Sequence, residues 1–155
     1  MNATTIEHRT MRALTMRLDD ETFAIDAESV REILEVVPVT RVPSAPDAVF
    51  GLINVRGSVV PLADFRVLFG MDRREATEDT RIVVVEVRLD DERLVAGLLA
   101  DKVHEVVDLD AGVQEAAPRV GMRWPAEFVQ GIAKRNEAFV IIPNVEKIFA
   151  TLAAA

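Results

Sequence analysis

The chain has 155 residues, half of them hydrophobic, with no cysteine and a formal charge of −8 at pH 7. The missing cysteines exclude disulfides, thiolate nucleophiles and cysteine-held zinc or iron–sulfur clusters, and the acidic balance opposes phosphate backbones and anionic membranes. One Trp, no Tyr and scattered basic residues offer no stacking platform for single-stranded nucleic acid.

No apolar run approaches the roughly 20 residues that span a bilayer, and the N-terminal MNATTIEHRTMRALTMRL lacks a continuous apolar segment. A chain of this length buries roughly 70% of the surface its unfolded form exposes, enough for one domain or two small lobes that share a core.

Residues 1–10 are polar and aperiodic and read as a loose tail. Leu14, Met16 and Leu18, then Phe23 and Ile25, flank a DDE turn and predict a hairpin with one buried face. Val30, Ile33 and Leu34 recur at helical spacing until Pro38, so a short helix or a tight crossover into a strand is expected there. Val39 to Val42 resume strand character.

VFGLINVRGSVVPLADF carries two apolar runs around Arg56, Gly57 and Ser58, a second hairpin. Its second strand is expected to end at Pro61, ahead of a helix over Leu62 to Phe69 closed by Gly70. DRREATEDT has no apolar periodicity, and the lobe boundary is expected within 71–80. RIVVVEVRL and ERLVAGLLA are two strands dense enough in aliphatics for burial on more than one side. VHEVVDL follows, then an irregular stretch through Pro125. The last unit is a hairpin around Arg135–Asn136–Glu137 and a helix starting at Pro143 or Asn144.

These units repeat. Val30 to Leu34 is echoed by Val103 to Val107, and the hairpin, proline and helix after Gly51 are echoed after Gly131. The pattern predicts two similar small β-barrels or half-barrels packed on each other, a mostly β fold with short helices.

No catalytic constellation emerges. Asp26 and Glu28 could form a carboxylate pair for acid–base work, but a solvated turn explains them as well. His104 adjoins Glu105, and neighbouring strand residues point to opposite faces, so a metal would need ligands from distant segments. GLINVRG is too irregular to cradle phosphate. No catalytic, metal or cofactor residues are therefore assigned.

Four residues read as binding candidates, each with a plainer alternative. Arg56 could clamp a carboxylate with its planar fork or be a solvated turn residue. Val30 could anchor an interface or pack in the core, and Glu32 beside it could be simply solvated. Gly51 could serve a bulge or close strand approach, or seat a partner's side chain against bare backbone.

In TFAIDAESVREIL, TRVPSAPDAVFGLINVRGSVVPLADFRVLFG, TRIVVVEV, GLLADKVHEVV and VQGIAKRNEAFVIIPNVEKIF, the chain resembles the CheW family of chemotaxis coupling proteins. The matches run from about Ala13 to Phe149 in the family's order, and GLINVRGSVVPLADFR is their most specific part. The resemblance implies two five-stranded SH3-like barrels around a shared hydrophobic core, one intertwined domain over 11–152. It also implies a cytoplasmic adaptor, associated with receptor arrays through protein contacts and not an enzyme. Its partners would be the regulatory domain of the histidine kinase CheA, the cytoplasmic tip of methyl-accepting chemoreceptors and other CheW-like domains in array rings.

By resemblance, Val30 and Gly51 would meet the kinase, while Glu32 and Arg56 would couple to receptors. Asp64 and Arg66 match the family's D-x-R pair, with a local role at the helix start expected for them. Asn144 stands where the family usually has aspartate, and KRNEAF replaces a turn that commonly bears glycine. An adaptor of a non-flagellar chemosensory pathway is the alternative within the family. A small enzyme built on Asp26, Glu28 or His104 is the alternative outside it.

Overall fold

A computed structural model describes residues 10–110 and 125–154. Among these residues ten strands form two five-stranded sheets, with strand orders β8-β1-β2-β10-β9 and β3-β6-β7-β5-β4. The strands are β1 (Thr10–Leu18), β2 (Glu21–Asp26), β3 (Val30–Glu35), β4 (Val49–Val55), β5 (Ser58–Ala63), β6 (Arg81–Leu89), β7 (Glu92–Ala100), β8 (Lys102–Asp110), β9 (Val129–Arg135) and β10 (Ala138–Pro143). Helix α1 (Phe65–Leu68) follows β5, and α2 (Val145–Ala154) follows β10. The mostly β, two-barrel expectation is met.

Three apolar clusters explain why strand alternation is blurred in the sequence. Ile53, Val60, Leu62, Ile82, Val84 and Leu99 fill the interior of the β3–β7 sheet. Ala13, Ala24, Leu109, Ala133, Val140 and Ile142 fill the other interior. A third, larger cluster lies between the sheets and takes Leu14, Met16 and Phe23 from one, and Val83, Val85 and Leu98 from the other. On β6, Ile82 and Val84 therefore face one core while Val83 and Val85 face another, which is why RIVVVEV reads as a continuous apolar run. The β1–β2 hairpin is buried on both faces for the same reason, and the expected single buried face is corrected.

Both helices feed the shared core. Phe65 of α1 and Phe69 at its C-cap pack with Phe23 and with Phe149 of α2, at ring-centroid distances of 5.1 Å for Phe23–Phe69 and 5.8 Å for Phe65–Phe149. Helix α1 is shorter than expected, because β5 continues through Ala63 and Asp64 then caps the helix by accepting from Arg66 N at 3.0 Å.

The 71–80 loop does not divide the lobes. It joins α1 to β6, and the strands before and after it, β3–β5 and β6–β7, lie in one sheet. The chain changes sheet elsewhere, through a 3-10 turn at Ala27–Ser29 and again at Asp101. The loop marks the boundary of the repeat instead: β1–β5 with α1 is one unit and β6–β10 with α2 is the other, and each places its first hairpin in one sheet and its remaining strands in the other. No expectation of a hairpin exchange could come from local periodicity, which carries no information about which distant strand is a neighbour.

Candidate functional site

The helical spacing of Val30, Ile33 and Leu34 is not realised as a helix. Asp26 accepts from Glu28 N at 2.9 Å and caps the 3-10 turn, after which β3 runs extended with Val30, Glu32 and Leu34 half-buried and Ile33 exposed. Asp26 and Glu28 are thus turn residues, and Asp26 is held by that local bond, not by a partner carboxylate.

Glu32 and Arg56 come together. Arg56 opens the β4–β5 turn with φ 53°, followed by Gly57 at φ 86°, the left-handed pair a two-residue hairpin loop requires. Its Nη2 lies 3.4 Å from Glu32 Oε1, and its side chain is 82% exposed. β3 and β4 are the two edges of their sheet, so this ion pair spans the seam where the barrel closes. An exposed pair of this kind adds roughly 0–1 kcal/mol, leaving a charged fork at the surface for other uses.

The repeat reproduces the arrangement. Glu105 of β8, the echo of Glu32, receives Arg135 Nη2 at 3.2 Å from the end of β9, again across the two edges of a sheet. Exposed apolar residues flank each seam: Ile33 and Val59 in one barrel, Val106 and Phe139 in the other, with Val59 72% and Phe139 62% exposed. The sequence singled out neither Val59 nor Phe139, which stand inside apolar runs read only as hairpin strands. The available signal was parity, since Val60 and Leu62 alternate with Val59 on β5, and strand neighbours face opposite ways.

Val30 and Gly51 do not join this pair in the same way. Val30 begins β3, opposite Val85, and packs against the shared core. Gly51 sits at a register shift in β4 with φ 156°, where a Cβ would lie 2.5 Å from Thr40 O and 2.5 Å from Val39 Cγ1. Thr40 exchanges backbone hydrogen bonds with Leu52 at 2.7 and 2.8 Å, so the close approach that requires glycine is made by the protein's own chain. The segment held there carries exposed Val36 and Val42, and Val37, Pro38, Thr40, Leu52, Asn54 and Val59 line a groove beside it.

Asp64 and Arg66 exceed their expected local role. Both are buried; Arg66 grips Asp64 through two 2.9 Å bonds and extends Nη1 to Asp101 Oδ1 at 2.8 Å. Asn144, in place of the family's aspartate, still caps α2, accepting from Lys147 N at 3.1 Å. Glu137 holds φ 66° in the second hairpin turn, where a glycine is commoner in the family. His104 is exposed on β8, and among the described residues no group of three or more His, Asp or Glu is placed to hold a metal. No helix among them is long and apolar enough to cross a membrane.

Two barrels sharing a core, with charged seams and exposed apolar residues beside them, define a scaffold class whose working parts are surfaces. A CheW-like domain model matches residues 12–153. The chain is 29% identical over 136 residues to the probable chemotaxis protein CheW of Rhizobium etli, covering 88% of this chain and 85% of that one. It is 26% identical over 127 residues to the protein PilI of Pseudomonas aeruginosa, covering 81% and 68%. The crystal structure of the scaffolding protein TtCheW from Thermoanaerobacter tengcongensis superposes with a TM-score of 0.76 at 32% identity, covering 88% of this chain and 90% of that one. The chain belongs to the CheW family of chemotaxis scaffolding proteins.

Proposed function

We propose that this chain is a non-enzymatic cytoplasmic adaptor that couples methyl-accepting chemoreceptors to the histidine kinase CheA. Glu32 and Arg56 act at the receptor's cytoplasmic tip, and the surface around Val30 and Gly51 meets the kinase's regulatory domain. The observation that carries this reading is the Glu32–Arg56 contact: two residues 24 apart, matched separately to the family's receptor-coupling positions, meet at one exposed seam. For Gly51 the support is indirect, since it seats the 36–42 segment and so shapes the apolar surface formed with Val59.

An adaptor of this kind works by population shift. Holding receptor and kinase in one lattice lets ligand-dependent receptor states favour one kinase state over another, by their difference in affinity for the two. The chain's acidic balance tunes association rate and its salt dependence more than final affinity. The likeness to PilI favours a second reading within the family, an adaptor of a non-flagellar chemosensory pathway.

Calorimetric titration with the regulatory domain of a chemotaxis histidine kinase from the same organism, at two salt concentrations, tests the role. One-to-one binding with micromolar or tighter Kd is expected. No heat with any such kinase of the organism, both proteins being folded, would end the coupling proposal.

A further inference from the structure

Among the described residues, the strand pairs within each repeat unit are only hairpins: β1–β2 and β4–β5 in the first, β6–β7 and β9–β10 in the second. Every pairing among these strands that joins hairpins or single strands into the two sheets crosses between units: β1 with β8, β2 with β10, β3 with β6 and β5 with β7. The shared core crosses as well, with Phe23, Phe65 and Phe69 from the first unit against Val85, Leu98 and Phe149 from the second. Arg66 of the first unit bonds Asp101 of the second.

A unit on its own would be two hairpins, a lone strand and a helix, with no strand pairing between them. Isolated hairpins are marginal at best in water, and the third strand that would stabilise each one is held by the other unit. The only covalent link between units is the 71–80 loop, whose Glu75 and Ala76 are exposed and outside every strand.

We propose that the two halves of this chain are obligate partners of each other, a fused dimer of hairpin-exchanging units, which reassembles when the link at Glu75–Ala76 is cut. Each half presents four open strand edges, three of them on its hairpins, and the chemistry that recognises it is the matching edges of the other half. The proposal does not depend on the coupling role.

The test uses the full-length chain with a sequence-specific protease site between Glu75 and Ala76, cut after folding. The cut protein is expected to elute as one particle of the intact size and to regain it after unfolding and dilution. Its Tm should fall by roughly 3–6 °C per tenfold dilution, because its folding has become bimolecular, while that of uncut protein stays fixed. Arg12 and Asp108 face each other across β1 and β8, both exposed. Oxidised R12C/D108C protein, once cut, should keep its halves linked and lose the dependence on dilution. Separation of the halves in native buffer, a Tm of the cut protein independent of concentration, or failure to re-form the particle while uncut chain refolds would each overturn the proposal.

Discussion

Arg66 Nη1 donates to Asp101 Oδ1 at 2.8 Å, between two buried side chains 35 residues apart in sequence. Arg66 stands on α1, beside the β3–β7 sheet, and Asp101 is where the chain leaves that sheet for the other. The second oxygen of Asp101 accepts from Asp19 N, in the β1–β2 turn of the opposite sheet, at 2.7 Å. One carboxylate is therefore bonded from both barrels. Burial lowers the pKa of Arg66, but Asp64 and then Asp101 outweigh it, and the net shift is upward. A cation with a raised folded pKa contributes stability below its unfolded pKa and loses it only as pH rises through the folded value. For a guanidinium that window lies above any ordinary working pH, so substitution, not titration, reports on the network.

Arg66→Ala is expected to cost about 3–5 kcal/mol, because it leaves Asp64 and Asp101 buried without their cation. Urea unfolding measures it, and a loss under about 1 kcal/mol would mean that water replaces the guanidinium. Arg66→Lys should recover only part of the loss, since a point charge cannot make the paired bonds to Asp64 and reach Asp101 together.

Gly51→Ala is expected to destabilise by on the order of 3 kcal/mol, combining backbone strain at φ 156° with a Cβ pressed onto Thr40 O. Thermal unfolding by circular dichroism checks it. Any loss of kinase binding in Gly51→Asp must then be read beside the stability of the same variant, because the first atom the new side chain meets belongs to this chain. An unchanged Tm with lost binding would instead favour direct contact.

The barrels were legible in the sequence through their hairpins, each announced by an apolar pair of runs and a turn, and through the echo of Val30–Leu34 in Val103–Val107. The exchange of hairpins was not, because pairing of β1 with β8 depends on a register between strands some ninety residues apart, as the Thr15 hydroxyl bond to Glu105 O illustrates. At the candidate site, Glu32 and Arg56 were named one by one from the family resemblance, but their meeting followed only from barrel closure. Val59 and Phe139 were hidden in apolar runs whose following aliphatics, Val60 and Leu62 in one and Val140 to Ile142 in the other, are buried.

Glu137→Gly is expected to stabilise the protein by about 0.5–1 kcal/mol. The left-handed backbone at φ 66° costs a side-chain-bearing residue about 1–2 kcal/mol, and glycine returns part of that gain through its freer unfolded state. Chemical denaturation of the two proteins side by side decides it; a destabilised variant would show that the Glu137 side chain makes a compensating contact.

Val59→Asp is expected to leave stability within about 0.5 kcal/mol, since the side chain is 72% exposed, and to weaken binding of the kinase regulatory domain by about tenfold or more. Calorimetry with that domain reads the effect. Unaltered affinity would place the kinase away from the apolar surface shared by Val59 and the 36–42 segment.

Arg56→Ala and Glu32→Ala are each expected to change stability by less than about 1 kcal/mol, as befits a 3.4 Å ion pair with one partner in open solvent. Both should nevertheless reduce receptor control of the kinase in a reconstituted array while leaving binding of the kinase regulatory domain intact. The double variant separates two roles for the pair. If the two residues act by holding each other in place, its loss of coupling should match that of either single variant; if each touches the receptor independently, the losses should add. Full coupling in all three variants would remove this seam from the receptor interface, whatever the kinase titration gives.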